Sequence, residues 1–379
     1  VIATYPAGTA RPARATGLIS ELVTSAERFA ALAPAWGRLF ARCGTATPFQ
    51  HHAWLHSWWL SYGLPGRLRL LVVHAGRDMV AAAPLMLVRR PLPALVPLGG
   101  TISDYADVLL DDGDNGRAAG ALTEALTEAA GTALIDFREV RPGGAVERVY
   151  DLWRGPRRAV SDSLCLELPA APMDELITRL SSGKSGQRVR AKLRRLTSLG
   201  VQRRAVGPEE VDAAIGRLLE LHRLQWQDRK VTSEHLRPRF REHLVRALGP
   251  MVRSGNAVVT EFRLGDEVVA VDLTLLSGSL AGGYLYGAHP GLRQRKVDVA
   301  VMLLDACAEY TGGSEPRTLS LLRGDEPYKH HWRPERVVNR RLLMARRRTA
   351  PLLTAALCDA TARQRGREAL LRWRERGQG

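Results

Sequence analysis

Apolar positions spaced three and four residues apart predict a helix over residues 24–42, with Phe29, Leu32, Trp36, Leu39 and Phe40 on one face. Thr24 or Ser25 is its N-cap. A second helix follows in PFQHHAWLHSWWLSYG, where Trp54, Trp58 and Trp59 read as core packing. Two apolar runs, residues 68–75 and 79–88, flank Gly76-Arg77-Asp78 and predict a hairpin. The polar patch TISDYADVLL then leads into a strand. A helix over 115–130, a strand over 133–140, a short helix over 144–153 and a strand over 163–168 complete this half.

The same order recurs. Helices are predicted over 209–228 and 235–253, and a hairpin turns at Gly265-Asp266. A strand over 281–287 carries Tyr284 and Tyr286. A helix over 297–310, a strand over 318–322 and a closing strand over 340–345 follow. Gly76 and Gly265 fall in corresponding turns, and an offset of roughly 180–190 residues marks a duplicated domain rather than a short solenoid repeat. The expected class is α/β (α+β), each copy a mixed central sheet flanked by helices. The expected division is a flexible leader at 1–19, domains at 20–170 and 171–345, and a basic helical tail at 346–379.

The stretch LSLLRGDEPYKHHW, residues 319–332, stands apart. An apolar strand breaks at Gly324 and sets down Asp325, Tyr328, Lys329 and Trp332 around Pro327. Polar residues where a buried strand surfaces fit a site and fit a solvated turn equally.

Composition narrows the class. The chain has 379 residues, 45% hydrophobic and 25% charged, as in ordinary globular proteins. Its net charge of +16, mostly arginine, favours a polyanionic partner or a phosphate-bearing cofactor, or reflects an arginine-rich coding bias. Cys43, Cys165, Cys307 and Cys358 are far apart, which suggests neither a zinc site nor a disulfide framework. No run reaches membrane-spanning length and no signal-peptide core opens the chain, so the expected location is cytoplasmic. Residues 181–204 hold eight Lys or Arg and no acid, with Lys184, Arg188, Lys192 and Arg195 near one helical face. That face fits phosphates or a solvated linker.

Familiar motifs fail. Gly183-Lys184-Ser185 ends like a phosphate loop, but Thr178 stands where its first glycine belongs. There is no GxSxG elbow and no HExxH, and no metal is expected. What remains is GAHPGLRQRKVD after the strand with Tyr284 and Tyr286. It brings Arg293, Arg295 and Lys296 to the start of a helix, an arrangement suited to a pyrophosphate.

Three stretches carry a family resemblance: FQHHAWLHSWWLSYG with LRLLVVHAGRDMVAAAPLMLVRR and SDYADVLL; RVRAKLRRLTSLGV with LHRLQW; and EFRLGDEVVAVDLTLL through YLYGAHPGLRQ to LLRGDEPYKHHW. Together they span about residues 30 to 345, and the chain resembles the CelD-like branch of the GNAT acyltransferases. The resemblance implies tandem GNAT domains, similar in layout to the Fem-type aminoacyl-tRNA transferases. It also implies acetyl-CoA or another acyl-CoA as donor and a small-molecule amine as acceptor. The implied cofactor residues are Tyr284, Arg293, Arg295, Lys296, Val297 and Asp298, with Arg295-Lys296-Val297 standing where relatives have small residues.

Acyl transfer needs a proton acceptor for the amine, a donor for the oxyanion and a proton for the leaving thiolate. Asp325 and Asp272 are candidates for base or amine anchor, because an aspartate inside an apolar strand is costly unless it is used. Asp272 equally fits an edge strand facing solvent. Tyr286 or Tyr284 suits the thiolate, and Lys329 a phosphate or acidic acceptor. His222, Trp226, Tyr328 and Trp332, with Asp104, Tyr105 and Asp107 from the first half, are expected around the acceptor. Two other classes remain open: an aminoacyl-tRNA-dependent, amide-forming transferase, and a non-catalytic nucleic-acid or partner-binding module.

Overall fold

The computed structural model describes residues 11–12, 17–89, 91–180, 182–225, 233–311 and 318–358. Strands β1 (Arg11–Pro12) and β2 (Leu18–Val23) pair with one another, so the chain enters the sheet before residue 20. Helices α1 (Ala26–Ala31) and α2 (Ala33–Arg42) replace the single predicted helix. Ser25 caps α1 by accepting from Arg28 N. The break falls at Leu32, because Pro34 lacks the N–H that a continuous helix would use. Next come α3 (His52–Tyr62), the hairpin β3 (Leu68–Ala75) and β4 (Asp78–Val88), and the short β5 (Ala94–Pro97) and β6 (Leu109–Leu110). Helix α4 (Arg117–Ala130), β7 (Leu134–Val140), α5 (Ala145–Leu152) and β8 (Arg157–Pro169) close the first half.

Helices α6 (Met173–Thr178) and α7 (Gly183–Ser198) bridge to β9 (Gln202–Ala205), α8 (Val211–Gln225) and α9 (Pro238–Arg253). Strands β10 (Ala257–Leu264), β11 (Glu267–Leu276) and β12 (Leu280–Ala288) follow. The chain continues through α10 (Gly291–Gln294), α11 (Val299–Glu309), β13 (Thr318–Arg323), α12 (Pro327–His330) and β14 (Glu335–Met344). The duplication is visible in detail. Gly76 and Gly265 take φ of +59° and +58° in their hairpin turns. Both hairpins slip register just before the turn, at Val73/His74 and Phe262/Arg263.

Among the described residues the strands form one sheet, in the order β1-β2-β3-β4-β5-β7-β14-β8-β13-β12-β11-β10-β9, with β6 paired to β4. Its centre is an exchange. The last strand of the first half, β8, pairs with β13, and the last strand of the second half, β14, pairs with β7. The two exchanged strands also pair with each other, antiparallel, from Glu335↔Glu167 to Met344↔Arg157. Each half therefore completes the other's sheet and hides an edge that would otherwise invite pairing. Away from the exchange α3 meets α9, where Ser57 Oγ donates to His243 O at 2.8 Å and the Trp54 ring stands edge-on to His243 at 4.5 Å.

Each half contains one parallel pair that opens. β12 and β13 share only Leu280↔Thr318, Ala281↔Leu319 and Gly282↔Ser320, and then part. β5 and β7 share only Ala94↔Leu134 and Leu95↔Ile135. Helix α8 lies directly on β12, where a Cβ on Gly287 would sit 2.3 Å from Leu218 O and 2.5 Å from His222 N. Gly287→Ala should therefore push α8 off the strand and cost about 1–3 kcal/mol of stability. Urea unfolding of the variant beside the wild type measures this.

Candidate functional site

The opening between β12 and β13 is a cavity of about 680 Å³. Side chains alternate along β11: Val271, Leu273 and Leu275 pack with Leu218 and Phe240 of α8 and α9, which sends Asp272, Thr274 and Leu276 to the α11 side. The lining comes from both faces of the sheet. Leu304 and Cys307 of α11 belong to one face, Ile102 and Tyr284 to the other, so the cavity passes through the gap.

Asp272 is 3% exposed on an interior strand, which removes the edge-strand alternative. It accepts from Thr274 Oγ1 at 2.8 Å and sits opposite Tyr286 in the β11–β12 register. Burial pushes its carboxyl up to about 7, against the pull of the Thr274 hydroxyl. Cys307, beside it in the lining, is pushed up to about 12 by burial and by the Asp272 charge, which keeps it a thiol. Tyr286 receives a hydrogen bond on its hydroxyl from Gln225 Nε2 at 3.1 Å. Tyr284 donates its own hydroxyl to Ile102 O at 2.8 Å.

The end of β13 carries a charged knot. Arg323 pairs with Asp104 and, at 3.2 Å, with Glu139, and donates to Thr101 O at 2.7 Å. This draws the 101–104 segment of the first half into the cavity wall. Lys329, 4% exposed, donates Nζ to Arg323 O at 3.0 Å and meets Glu326 at 2.8 Å. Leu322 and Gly324, at φ of +57° and +119°, turn the backbone around this knot.

The structure brings Asp272, Tyr284, Tyr286, Lys329, Tyr328, Trp332 and Asp104 into one lining. It does not bring Asp325 there. That carboxylate is more than half exposed and holds His330 Nε2 at 2.6 Å and Arg336 at 3.5 Å. Tyr105 lies behind the wall, with its hydroxyl 2.8 Å from Ser320 Oγ and donating to Glu167 at 3.2 Å. Asp107 is structural in its contacts, accepting from Ala145 N and Val146 N at 2.7 Å to start α5. His222 is one step back. Its Nδ1 lies 2.7 Å from Tyr286 O and its Nε2 3.3 Å from His235, which does line the cavity. Burial lowers His235 to about 4, leaving it neutral at pH 7. Trp226 lies outside the described residues.

Arg293, Arg295 and Lys296 are exposed and Val297 is buried against the α11 core, all outside the lining. Asp298 caps α11 by accepting from Val301 N at 3.1 Å and is held by Lys192 of α7 at 2.6 Å. Sequence reasoning missed Arg323, Glu139, His235 and Glu234. Arg323 had a signal, a cation immediately before Gly324. Glu139 had one in the charges of LIDFREV, but its partner is 184 positions away along the chain.

Residues 183–330 match the family model of the Acetyltransferase (GNAT) domain. No curated protein matches the chain. Among solved structures, FemX is similar with a TM-score of 0.56 at 12% identity, over 89% of this chain and 99% of that one. A conserved protein of unknown function from Bacteroides thetaiotaomicron VPI-5482 gives 0.53 at 12%, over 86% and 99%. L-PGS from Bacillus licheniformis gives 0.51 at 11%, over 88% and 96%. At such identities the likeness is one of fold. Most of the cavity lining falls within the stretch that the family model covers, and the chain is a GNAT-fold transferase of the acyltransferase class.

Proposed function

We propose that the protein is an N-acyltransferase of the CelD-like branch, moving an acyl group from acyl-CoA to the amine of a small molecule inside the through-sheet cavity. The observation that carries this reading is Asp272, a buried carboxylate with no cation beside it among the described residues of the gap's wall. A charged amine is not a nucleophile, and a carboxyl poised near neutrality takes its proton. The amine nitrogen then bonds to the thioester carbonyl carbon, and charge collects on the carbonyl oxygen. Beyond Gly282 the edge of β12 facing β13 has no strand partner, which leaves backbone amides there for that oxygen. The C–S bond breaks, the thiolate takes a proton from a donor in the wall, and the bonded nitrogen gives up its second proton to that donor as the amide forms. Because Gln225 donates to the Tyr286 oxygen, that hydroxyl keeps its own proton to give. On this reading Arg293, Arg295 and Lys296 face the phosphates near the start of α11.

A second reading is favoured by Asp298. Its carboxylate occupies the α11 start and is paired to Lys192, so a pyrophosphate arriving there meets an anion already in place. A donor held elsewhere, such as an aminoacyl ester on tRNA, avoids that conflict. Helix α7 presents Lys184, Arg188, Arg190, Arg194 and Arg195 to solvent. No helix among the described residues is long and apolar enough to cross a membrane.

Three outcomes are expected. Asp272→Asn should lower turnover by about 10²–10⁴-fold and remove a rate increase centred near pH 7, whereas Asp325→Ala stays within a few-fold of wild type. The reverse pattern would move the base to the exposed loop. Folding should show the same group. The Asp272 carboxyl stands at about 7 when folded against an ordinary 3.8, so between those values the folded state keeps a proton that the unfolded chain has lost. Stability from this group is full below pH about 4 and falls as pH rises through about 7. Asp272→Asn should flatten that fall between pH about 4 and about 7 in urea unfolding. For the donor, thiol release from acyl-CoA on addition of amine, unaffected by ribonuclease, supports the first reading. Transfer of a labelled amino acid from charged tRNA, abolished by ribonuclease and falling steeply with salt, supports the second.

A further inference from the structure

The charges in the cavity wall pair off with one exception. Asp104 faces Arg323. Glu234 faces Arg239 at 2.7 Å and Arg237 at 3.6 Å. Glu326 faces Lys329 at 2.8 Å. Each wall cation is also engaged beyond that pair: Arg323 with Glu139 and Thr101 O, Lys329 with Arg323 O. Among the described carboxylates of the lining, only Asp272 has no cationic partner; it accepts a hydrogen bond from the Thr274 hydroxyl of its own strand.

A buried carboxylate without a counter-ion costs several kcal/mol unless something supplies one. Among the described residues of the lining, a ligand carboxylate or phosphate finds no cation to spare, and it would have to break a pair or lie unpaired beside Asp272. Beside the polar Thr101, His235 and Ser320, the rest of the wall is mainly apolar and aromatic, with Tyr284, Tyr286, Trp332, Leu303, Leu304 and Leu319. Such walls accept hydrocarbon and aryl bodies, and tyrosine faces also attract a cation. A volume of about 680 Å³ falls in the range of small-molecule sites.

We infer that the cavity selects a cationic amine with an apolar or aryl body and no acidic group, its ammonium seated on Asp272. This rests on the acyl-transfer reading for its purpose and deepens it by naming the acceptor class: simple amines, not amino acids or phosphorylated amines. The exclusion of acids comes from the pairing of Arg323 and Lys329, and the attraction from the single unmatched carboxylate.

The test is calorimetric titration of the whole 379-residue chain at pH 8, with no acyl donor, using 4-phenylbutylamine, 4-phenylbutyrate and phenylalanine. The amine should bind, the carboxylate should not, and phenylalanine should bind at least about tenfold more weakly than the amine, which is 1.4 kcal/mol or more. Asp272→Asn should weaken the amine by a similar factor. Thr274→Val, which removes the hydroxyl donor and leaves the charge, should keep the preference for amine over acid. Equal or tighter binding of phenylbutyrate, no binding of any probe, or amine binding unchanged in a folded Asp272→Asn protein would each overturn the inference. Binding is read without turnover, so the two readings fail separately. A protein that binds the amine but never acylates it refutes the reaction and keeps the ligand class. One that acylates amino acids as readily as amines keeps the reaction and refutes the class.

Discussion

Everything at the site follows from two parallel strands that stop pairing after three residues. β12 and β13 are joined from Leu280↔Thr318 to Gly282↔Ser320, and beyond that neither finds the other. A gap in the middle of a sheet exposes backbone donors and acceptors, and closure would normally be favourable. Packing keeps it open. Helix α11 covers one side, and the 101–104 segment of the first half is tied across the other by Arg323. Buried Lys329 fastens α12 to the Arg323 carbonyl. The positive φ at Leu322 and Gly324 belongs to this turn, where the strand bends away instead of pairing on.

The exchange of β8 and β14 explains why two copies of one topology give one functional cavity wall. Because β14 pairs with β7 and β8 with β13, the halves are a single sheet rather than two sheets in contact. The first half can then lend Thr101, Ile102 and Asp104 to the cavity of the second. Part-buried arginine–carboxylate pairs at the seam make the joint specific. Arg141 grips Glu167 through two hydrogen bonds of 2.8 and 2.7 Å, and Arg341 grips Asp136 in the same way.

Those pairs also set Asp272 apart. Glu261, with no exposed surface, is met by Arg204 and Arg217. Glu167 and Asp136 have arginine forks. These three carboxylates are paired with cations, and removing a partner from a buried charge costs about 3–5 kcal/mol; buried Asp107 is instead held by the backbone N–H groups of Val108, Ala145 and Val146. Asp272, equally interior, has a threonine hydroxyl. Burial pushes its carboxyl up to about 7, and the neutral hydroxyl of Thr274 offsets only part of that. A group in that condition exchanges protons at physiological pH.

The order of helices and strands, the hairpins at Gly76 and Gly265, and the duplication were legible in the chain itself, because periodicity and glycine turns are local signals. So was the cost of an aspartate within VAVDLTLL, which marked Asp272. Pro34 also carried its own message, a helix break that periodicity alone passed over. The division of labour among the polar residues of 319–332 was not legible. Asp325 and Lys329 are four positions apart in one motif, yet the first ends in solvent with His330 and the second is buried against the Arg323 carbonyl. Which way each turns depends on α12 and on strands brought in from elsewhere. The exchange of β8 with β14 is likewise invisible to local pattern, since a strand's sequence specifies a face to bury but not which neighbour lies beside it. Sequence determined the elements and marked an aspartate inside an apolar strand as costly. The tertiary structure decided what stands next to it, because counter-ions for buried charges come from residues far apart in the chain.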